Sequence, residues 1–343
     1  MTWTMPPEWT IHKRTWMGWP CNPDVLEYVG SPDVAYKAWS GAANQIVQFE
    51  PVTMICNPGE EALARKYLNS KVTIVECELG DSWIRDCGPT FVVNEHGELG
   101  AVDWTFNGWG GRTFPERSAD ALVARFVAEK AGAERLPSVL VNEGGGIHVD
   151  GEGTLLLTEN VQLNHNRNPN WTRQEIEAEM HARLGTSKAI WVPRGLEADT
   201  SDSGTDGHID TLACFVKPGV LVVHGQPDPD HPDYETAKEI EAIMRSQTDA
   251  RGRAMEVIVL AAPRERYDHG EPLSCSYVNF SFVNGGVVLC EFDDPQDEVV
   301  AGVFRRLFND REIVSVPAVD IFKGGGGVHC ITQQEPLCGT NGG

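Results

Sequence analysis

Five glycine-containing segments carry the side chains of this chain that are best suited to chemistry. They are Asp81–Pro89, Phe106–Gly111, Glu143–Gly151, Thr205–Asp210 and Gly324–Gln334, and each adds an acid, a histidine, a tryptophan or a cysteine. A cysteine can act as a nucleophile, a histidine can transfer protons and carboxylates can hold a cation. Loops at strand ends usually carry reactive groups, so the recurrence of these segments at predicted strand boundaries indicates a functional site.

Each segment also has a purely structural explanation when it is taken alone. Asp86 is next to Arg85, as in a turn with a surface ion pair, and Glu143 could accept hydrogen bonds from the glycine amides that follow it. His208 is two residues before an aspartate, as at a strand edge, and we interpret His329 as a buried structural histidine. Only the combination of all five segments favours chemistry over structure.

The order of these segments resembles the agmatine deiminase branch of the guanidino-group modifying enzymes, which is related to bacterial peptidylarginine deiminases. The matching motifs are D-x-W-x-R-D-x-G-P from Asp81, F-N-G-W-G from Phe106, E-G-G from Glu143, G-H-x-D from Gly207 and G-G-G-x-x-H-C-I-T-Q-Q from Gly324. A Pro-Glu-Trp triplet at residues 7–9 matches as well, so the similarity extends from about residue 5 to about residue 336.

The resemblance implies a particular fold and the absence of a cofactor or metal. The expected fold is a five-bladed α/β-propeller with pseudo-fivefold symmetry, built from ββαβ-like units, with the active site in its central channel. The family needs no cofactor and no metal, so we expect none here. We also expect residues 1–343 to form a single catalytic domain, because no linker or low-complexity segment divides the chain.

Motif positions imply a role for each catalytic candidate. Asp86 and Asp210 would hold the N–H groups of a guanidinium cation, since carboxylates match its fork geometry. Cys330 would attack the guanidinium carbon as a thiolate, and the bound cation would favour that ionised form. His208 would protonate the departing ammonia and then deprotonate a water molecule, with Glu143 beside it.

Further residues are implied in substrate binding. Trp83 would stack on the guanidinium face, although a core tryptophan is the alternative. The glycine loop that includes Gly325 would let the backbone approach the substrate closely. Trp109 and Asp206 complete the set of expected binding residues.

The implied reaction converts agmatine and water to N-carbamoylputrescine and ammonia, a step of putrescine and polyamine biosynthesis. One position departs from the pattern, because Gly204 occupies the place where agmatine-type members carry an acid for the terminal amine. Asp202 and Asp206 are nearby substitutes, and Gly327 stands where asparagine is common. These changes concern the substrate's tail and leave the chemistry at the guanidinium carbon intact.

The sequence leaves three other functions open. The chain could hydrolyse a guanidino compound with a different tail, although arginine is disfavoured because no arginine is clearly placed for an α-carboxylate. It could be an amidinotransferase, which uses the same combination of cysteine, histidine and acidic residues. A non-catalytic binder of guanidino ligands is disfavoured, since all five reactive groups are intact.

Composition restricts the partners and the compartment. The net charge is −22, from 50 acidic and 28 basic residues, which would repel nucleic acid and anionic membranes and attract a cationic small molecule. A solubility adaptation is the alternative, so charge alone does not decide the partner. None of the nine cysteines has C-x-x-C spacing, and neither a signal peptide nor an apolar run of about 18 residues is present. We therefore expect a cytoplasmic protein with reduced thiols, and the sequence leaves a homo-oligomer open.

The elements that must position these residues are short and interleaved. Strand-like runs outnumber helical ones about two to one, which favours ββαβ-like units over a plain βαβ sheet. The helical pattern is clearest at 32–49, which begins with Ser31-Pro32-Asp33, and another helix is predicted at 60–68. A strand is predicted at 277–282.

Overall fold

The chain folds as a mixed α/β protein in the computed structural model, which describes residues 2–111, 119–201, 204–268 and 270–338. The strands are β1 Trp3–Thr4, β2 His12–Gly18, β3 Val52–Cys56, β4 Thr73–Glu76, β5 Thr90–Asn94, β6 Leu99–Thr105, β7 Glu134–Val141, β8 Ile147–Val149, β9 Thr154–Thr158, β10 Lys188–Val192, β11 Ala213–Lys217, β12 Val220–Gly225, β13 Glu256–Ala261, β14 Tyr267–Asp268, β15 Glu271–Pro272, β16 Ser281–Val283, β17 Gly286–Glu291, β18 Glu312–Pro317 and β19 Gln333–Pro336.

Helices lie between these strands. The α-helices are α1 Pro23–Tyr28, α2 Pro32–Ile46, α3 Glu61–Ala64, α4 Ile84–Cys87, α5 Val123–Ala131, α6 Glu159–Gln162, α7 Arg173–Leu184, α8 Tyr234–Ser246, α9 Pro295–Leu307 and α10 Val319–Lys323. Single 3₁₀ turns occur at Asp120–Leu122, Gly144–Gly146, Glu197–Thr200 and Ile209–Thr211.

Four sheets share one arrangement, in which an antiparallel strand pair is followed by a helix and a third strand parallel to the second. These units are β5-β6-α5-β7, β8-β9-α7-β10, β11-β12-α8-β13 and β16-β17-α9-β18. The helix is needed because parallel neighbours cannot be joined by a tight turn. The first two strands of each unit are therefore antiparallel and close in sequence, and the chain reaches the third strand through the helix.

A fifth sheet has the same pairing but joins the two ends of the chain. Strand β19 pairs antiparallel with β2, and β3 and β4 extend the sheet in parallel. Gln333 lies opposite Trp16 in this register, and the indole N–H of Trp16 donates to Glu335 at 2.9 Å. The loop that carries Cys330 leads directly into β19, so this pairing anchors it.

Helix α2 illustrates how the sequence signals form the core. The Ser31 side chain caps its first turn by accepting from the backbone N–H of Val34 at 3.4 Å, and Pro32 occupies the start of the helix. The buried face of this helix includes Trp39 and Ile46, which pack in the largest apolar cluster. The helix ends at Ile46, three residues before the predicted end.

Two other predicted elements are shorter than expected. The helix predicted at 60–68 is a single turn, Glu61–Ala64, because the amides of Lys66 and Tyr67 bond to carbonyls three residues back. The strand predicted at 277–282 begins only at Ser281. The reason is that Asn279 bonds to the loop around Cys330, where the backbone carbonyl of Asn279 accepts from the His329 N–H at 3.2 Å.

Within the described ranges, no helix is both long enough and apolar enough to cross a lipid bilayer.

Candidate active site

Three predicted side chains converge on the backbone of Gly145. A Cβ at this position would lie 2.6 Å from His208 Nδ1, 2.9 Å from Asp86 Oδ1 and 3.0 Å from Asp210 Oδ2. These residues come from separate parts of the chain, and only glycine leaves room for them to approach. The turn Gly144–Gly146 is therefore the point around which the candidate site is assembled.

Cys330 lies next to this point. Its Sγ is 3.5 Å from Asp210 Oδ2 and accepts a hydrogen bond from Asn279 Nδ2 at 3.2 Å. Burial, together with the negative charges of Asp210 and Asp86, raises the pKa of the Cys330 thiol well above its ordinary value. The free protein therefore holds a neutral thiol here, and a cation is what would ionise it.

His208 is surrounded by carboxylates. Its Nδ1 lies 3.7 Å from Asp86 Oδ1, and its Nε2 lies 3.5 Å from Glu143 Oε2. Burial alone would lower the pKa of His208, but Asp86, Glu143 and Asp210 outweigh that effect and raise the pKa to about 9. The imidazole is thus protonated at neutral pH and can donate a proton.

A buried arginine holds Glu143 in place. Arg167 Nε donates to both Glu143 oxygens at 2.9 and 3.0 Å, and its Nη1 donates to Asp206 at 2.7 Å. Although burial opposes ionisation, Arg167 and His208 lower the pKa of Glu143. Sequence reasoning missed Arg167, because it follows an asparagine-rich loop without a glycine-acid motif.

Asp206 has a different position from the one expected of a binding residue. Its carboxylate is held by Arg167 and by Asn164 at 3.1 Å, and it does not line the cavity onto which Cys330 opens. The neighbouring residue Thr205 lines that cavity instead. Asp202, the other expected substitute for the missing acid, lies outside the described residues.

Asp86 is fixed by the backbone and by an indole. The Gly145 N–H donates to its Oδ1 and the Trp109 Nε1–H to its Oδ2, both at 2.9 Å. Burial, with further contributions from Asp210 and Glu143, raises the pKa of Asp86, although His208 acts in the opposite direction. A bound guanidinium would offset this crowding of negative charge.

Asp210 has one carboxylate oxygen with a hydrogen-bond partner and one without. Its Oδ2 lies 2.8 Å from His329 Nδ1, whereas its Oδ1 is buried and has no hydrogen-bond partner among the described residues. Burial favours the neutral acid, but the bond from His329 and the charges of His329, His208 and Arg85 lower the pKa of Asp210. An ionised oxygen without a donor is suited to a cationic ligand.

Behind His329 lies a second layer of buried charge. Its Nε2 is 2.9 Å from Glu8 Oε1, and Glu8 also contacts Arg85 at 3.4 Å. Burial and Arg85 lower the pKa of His329, but Glu8 and Asp210 outweigh them and raise it. His329 is thus buried, and it links Glu8 to Asp210.

The site opens onto a cavity of about 170 Å³. Cys330 and Asp86 line it together with Trp83, Trp109 and Gly325. A cavity of roughly 150 Å³ accommodates one benzene molecule, so this space suits a small molecule. Within the described part of the chain, no group of three or more His, Cys, Asp or Glu side chains is arranged to hold a metal ion.

Trp83 and Gly325 shape this cavity. Trp83 is 5% exposed, and its ring meets that of Trp39 edge-on at a centroid distance of 5.5 Å, so it serves the core and the cavity wall together. Gly325 has a φ of +122°, a conformation that residues with side chains rarely adopt, and a Cβ at this position would lie 3.7 Å from the Trp83 ring. Both therefore line the cavity onto which Cys330 opens.

Comparison with known proteins finds relatives over nearly the whole chain. Residues 4–336 match the model of the Porphyromonas-type peptidyl-arginine deiminase family. A provisionally named agmatine deiminase of Streptomyces coelicolor is 53% identical over 98% of this chain and 99% of its own length. An agmatine deiminase of Pseudomonas aeruginosa strain LESB58 is 38% identical over 97% of this chain and 95% of its own length.

A solved structure extends the match to the fold. The agmatine deiminase of Enterococcus faecalis superimposes with a TM-score of 0.91 at 34% identity, and the alignment covers 98% of this chain and 96% of that one. The similarity in sequence and in structure spans nearly the full length of both proteins. The chain therefore belongs to the agmatine deiminase family, within the Porphyromonas-type peptidyl-arginine deiminases.

Proposed function

We propose that this chain is a hydrolase that converts agmatine and water to N-carbamoylputrescine and ammonia. One observation carries the proposal: the buried thiol of Cys330 and the carboxylate of Asp86 line a cavity of small-molecule size, with Asp210 3.5 Å from that thiol and the protonated imidazole of His208 3.7 Å from that carboxylate. The nearly full-length similarity to agmatine deiminases supports the choice of substrate. Cys330, His208, Glu143, Asp86 and Asp210 are the residues to which we assign the reaction.

Binding would be driven by charge. The guanidinium N–H groups would donate to Asp86 and to the unpartnered Oδ1 of Asp210, with the planar cation against Trp83. The cation would also lower the pKa of Cys330, since a positive charge at the thiol opposes the effects of burial and of the two carboxylates. The thiol proton would leave to solvent as the substrate enters.

The first chemical step would form a carbon–sulfur bond. The Cys330 thiolate would add to the guanidinium carbon, and His208 would transfer its proton to one nitrogen. The bond from carbon to that nitrogen would then break and release ammonia. An S-alkylthiouronium group would remain on Cys330, and His208 would be neutral.

The second step would consume water. Neutral His208 would take a proton from a water molecule, whose oxygen would add to the same carbon. The carbon–sulfur bond would break and return the electron pair to Cys330, and the hydroxyl proton would leave to solvent, which yields the neutral ureido product. Glu143, held by Arg167, would stabilise the cationic form of His208, which donates the proton in the first step and forms again in the second.

We further propose that the five similar sheets surround one axis as a five-bladed α/β-propeller and that residues 1–343 form one domain. The recurring ββαβ pairing and the joining of the chain ends through β19 and β2 support this. All nine cysteines are free, which is consistent with a reducing compartment, and we propose the cytoplasm.

The test is a product analysis with purified protein and agmatine. We expect ammonia and N-carbamoylputrescine in equal amounts from the wild type and neither from Cys330→Ala. A transferred amidine in the presence of an added amine would instead identify an amidinotransferase. Ligand binding without any product from a panel of guanidino compounds would contradict enzymatic function.

A further inference from the structure

We propose that Asp24 binds the cationic end of the substrate and thereby selects guanidino compounds that carry an amine at the far end of the chain. This inference rests on the proposed deiminase function, because the cavity that Asp24 lines is the one onto which Cys330 opens. Asp24 lies in the first turn of helix α1, and Tyr28, one turn later, lines the same cavity.

The loop before His208 offers no acid for this purpose. Gly204 has no side chain, and a Cβ there would lie 2.0 Å from the backbone oxygen of Asp199, so no other residue fits without a backbone shift. Thr205 reaches the cavity with a hydroxyl, and that hydroxyl bonds to Asp199 at 2.6 Å. The carboxylate of Asp206 is already neutralised by Arg167.

The carboxylate of Asp81, a second acid on the cavity wall, already accepts hydrogen bonds from neighbouring residues. Asp81 is 3% exposed, its Oδ2 accepts from the side chain of Asn22 at 3.0 Å, and its Oδ1 accepts from the Ser82 N–H at 2.8 Å. These bonds hold Asp81 in the wall beneath helix α1. Asp24, by contrast, is exposed, and its carboxylate has no hydrogen bond or ion pair with any residue that the structure describes.

The charge balance of the cavity favours a cation over an anion at this end. Lys323 is the basic residue in the wall, and its ammonium lies 2.9 Å from Asp320 Oδ1, so its charge is compensated locally. Asp24 has no such compensation. A substrate whose guanidinium is bound by Asp86 and Asp210 would therefore meet a net negative charge where its tail leaves the cavity.

The experiment compares two substrates of equal length that differ only in tail charge. Agmatine carries an ammonium, and pentylguanidine carries a methyl group in its place. For Asp24→Asn we expect KM for agmatine to rise about fivefold, the factor that corresponds to a partly exposed ion pair, with pentylguanidine unchanged. Glu27→Gln is the matched control, since it removes an exposed carboxylate from the same helix outside the cavity, and it should alter neither KM.

The outcomes separate this inference from the proposed function. If the wild type releases ammonia from agmatine but Asp24→Asn changes both substrates equally, or neither, the assignment of Asp24 is wrong while the deiminase function stands. If the wild type releases ammonia from no guanidino compound, the proposed function fails first. A loss of helix stability alone would lower the melting temperature without separating the two substrates.

Charge reversal provides a second, independent variant. Asp24→Lys should shift the preference from agmatine toward 4-guanidinobutanoate, whose tail is a carboxylate. An unchanged ratio of kcat/KM for these two substrates in folded Asp24→Lys, checked by thermal unfolding, would overturn the proposal. So would a wild-type preference for 4-guanidinobutanoate over agmatine.

Discussion

The Nδ1 atom of His329 lies 2.8 Å from Oδ2 of Asp210, and the same oxygen faces the sulfur of Cys330 at 3.5 Å. Two consecutive residues of the chain thus contact one carboxylate, the first as its support and the second as the thiol that lines the cavity. Glu8 holds the other side of the His329 ring at 2.9 Å. His329 therefore positions Asp210, and through it the expected guanidinium site, without contacting the cavity itself.

Replacing this support should reduce activity without abolishing the chemistry. For His329→Asn we expect kcat/KM for agmatine to fall about 10- to 100-fold, as is typical when a buried partner of a functional group is removed. Glu8→Gln, which leaves the bond from His329 to Asp210 in place, should have a smaller effect in the same direction. Unchanged steady-state kinetics in folded His329→Asn would show that Asp210 needs no such support.

The clamp itself is tested by Asp210→Asn. This change removes the unpartnered buried anion, so we expect ligand affinity and turnover to fall together by several orders of magnitude, or roughly 3–5 kcal/mol. Calorimetric titration with agmatine and steady-state kinetics measure the two quantities. Asp249→Asn is the control, because that buried acid bonds to Arg253 and contacts none of the residues assigned to the reaction, and it should retain binding. Full activity in Asp210→Asn would mean that the clamp is misassigned.

His208 should stay protonated far into the alkaline range. Its pKa of about 9 exceeds that of an unfolded histidine, roughly 6.5, so its contribution to stability is complete below pH ~6.5 and is lost as the pH rises through about 9. In Glu143→Gln the midpoint should move to lower pH, because one of the carboxylates that stabilise the cation is gone.

Histidine NMR measures this midpoint directly, and the spectrum of His208→Gln identifies the signal. His224 provides an internal reference, since burial lowers its pKa to about 4 and it contacts Ser276 rather than the acids of the site. A His208 midpoint near its ordinary value in the wild type would contradict the assigned proton donor.

Ionisation of Cys330 should depend on the ligand. Because burial and two carboxylates raise the pKa of this thiol, we expect little thiolate absorbance from Cys330 at neutral pH in the free protein. Addition of guanidinium ion, a small cation without a tail, should increase the absorbance and release protons. Cys330→Ser supplies the background from the other eight thiols. Strong thiolate absorbance from Cys330 before any ligand is added would refute substrate-assisted ionisation.

The sequence predicted the residues that meet at Gly145 because each one lies in a short glycine-containing motif whose order can be recognised. It did not predict Arg167 or Asn279, since both act through tertiary contacts and neither stands in such a motif. The pairing of β19 with β2 links residues more than 300 positions apart, and local periodicity carries no information on such pairs. Asp206 was expected to touch the substrate from its position in the chain alone, whereas Arg167 holds it elsewhere.

The central claim is that Cys330 forms a covalent bond to the guanidinium carbon. Its most direct test is mass spectrometry of protein quenched in acid during turnover of agmatine. We predict an adduct on the peptide that contains Cys330, with the mass of agmatine less one ammonia, and no adduct in Cys330→Ala. Full turnover by Cys330→Ala, or an adduct on another residue while Cys330 stays unmodified, would contradict the account.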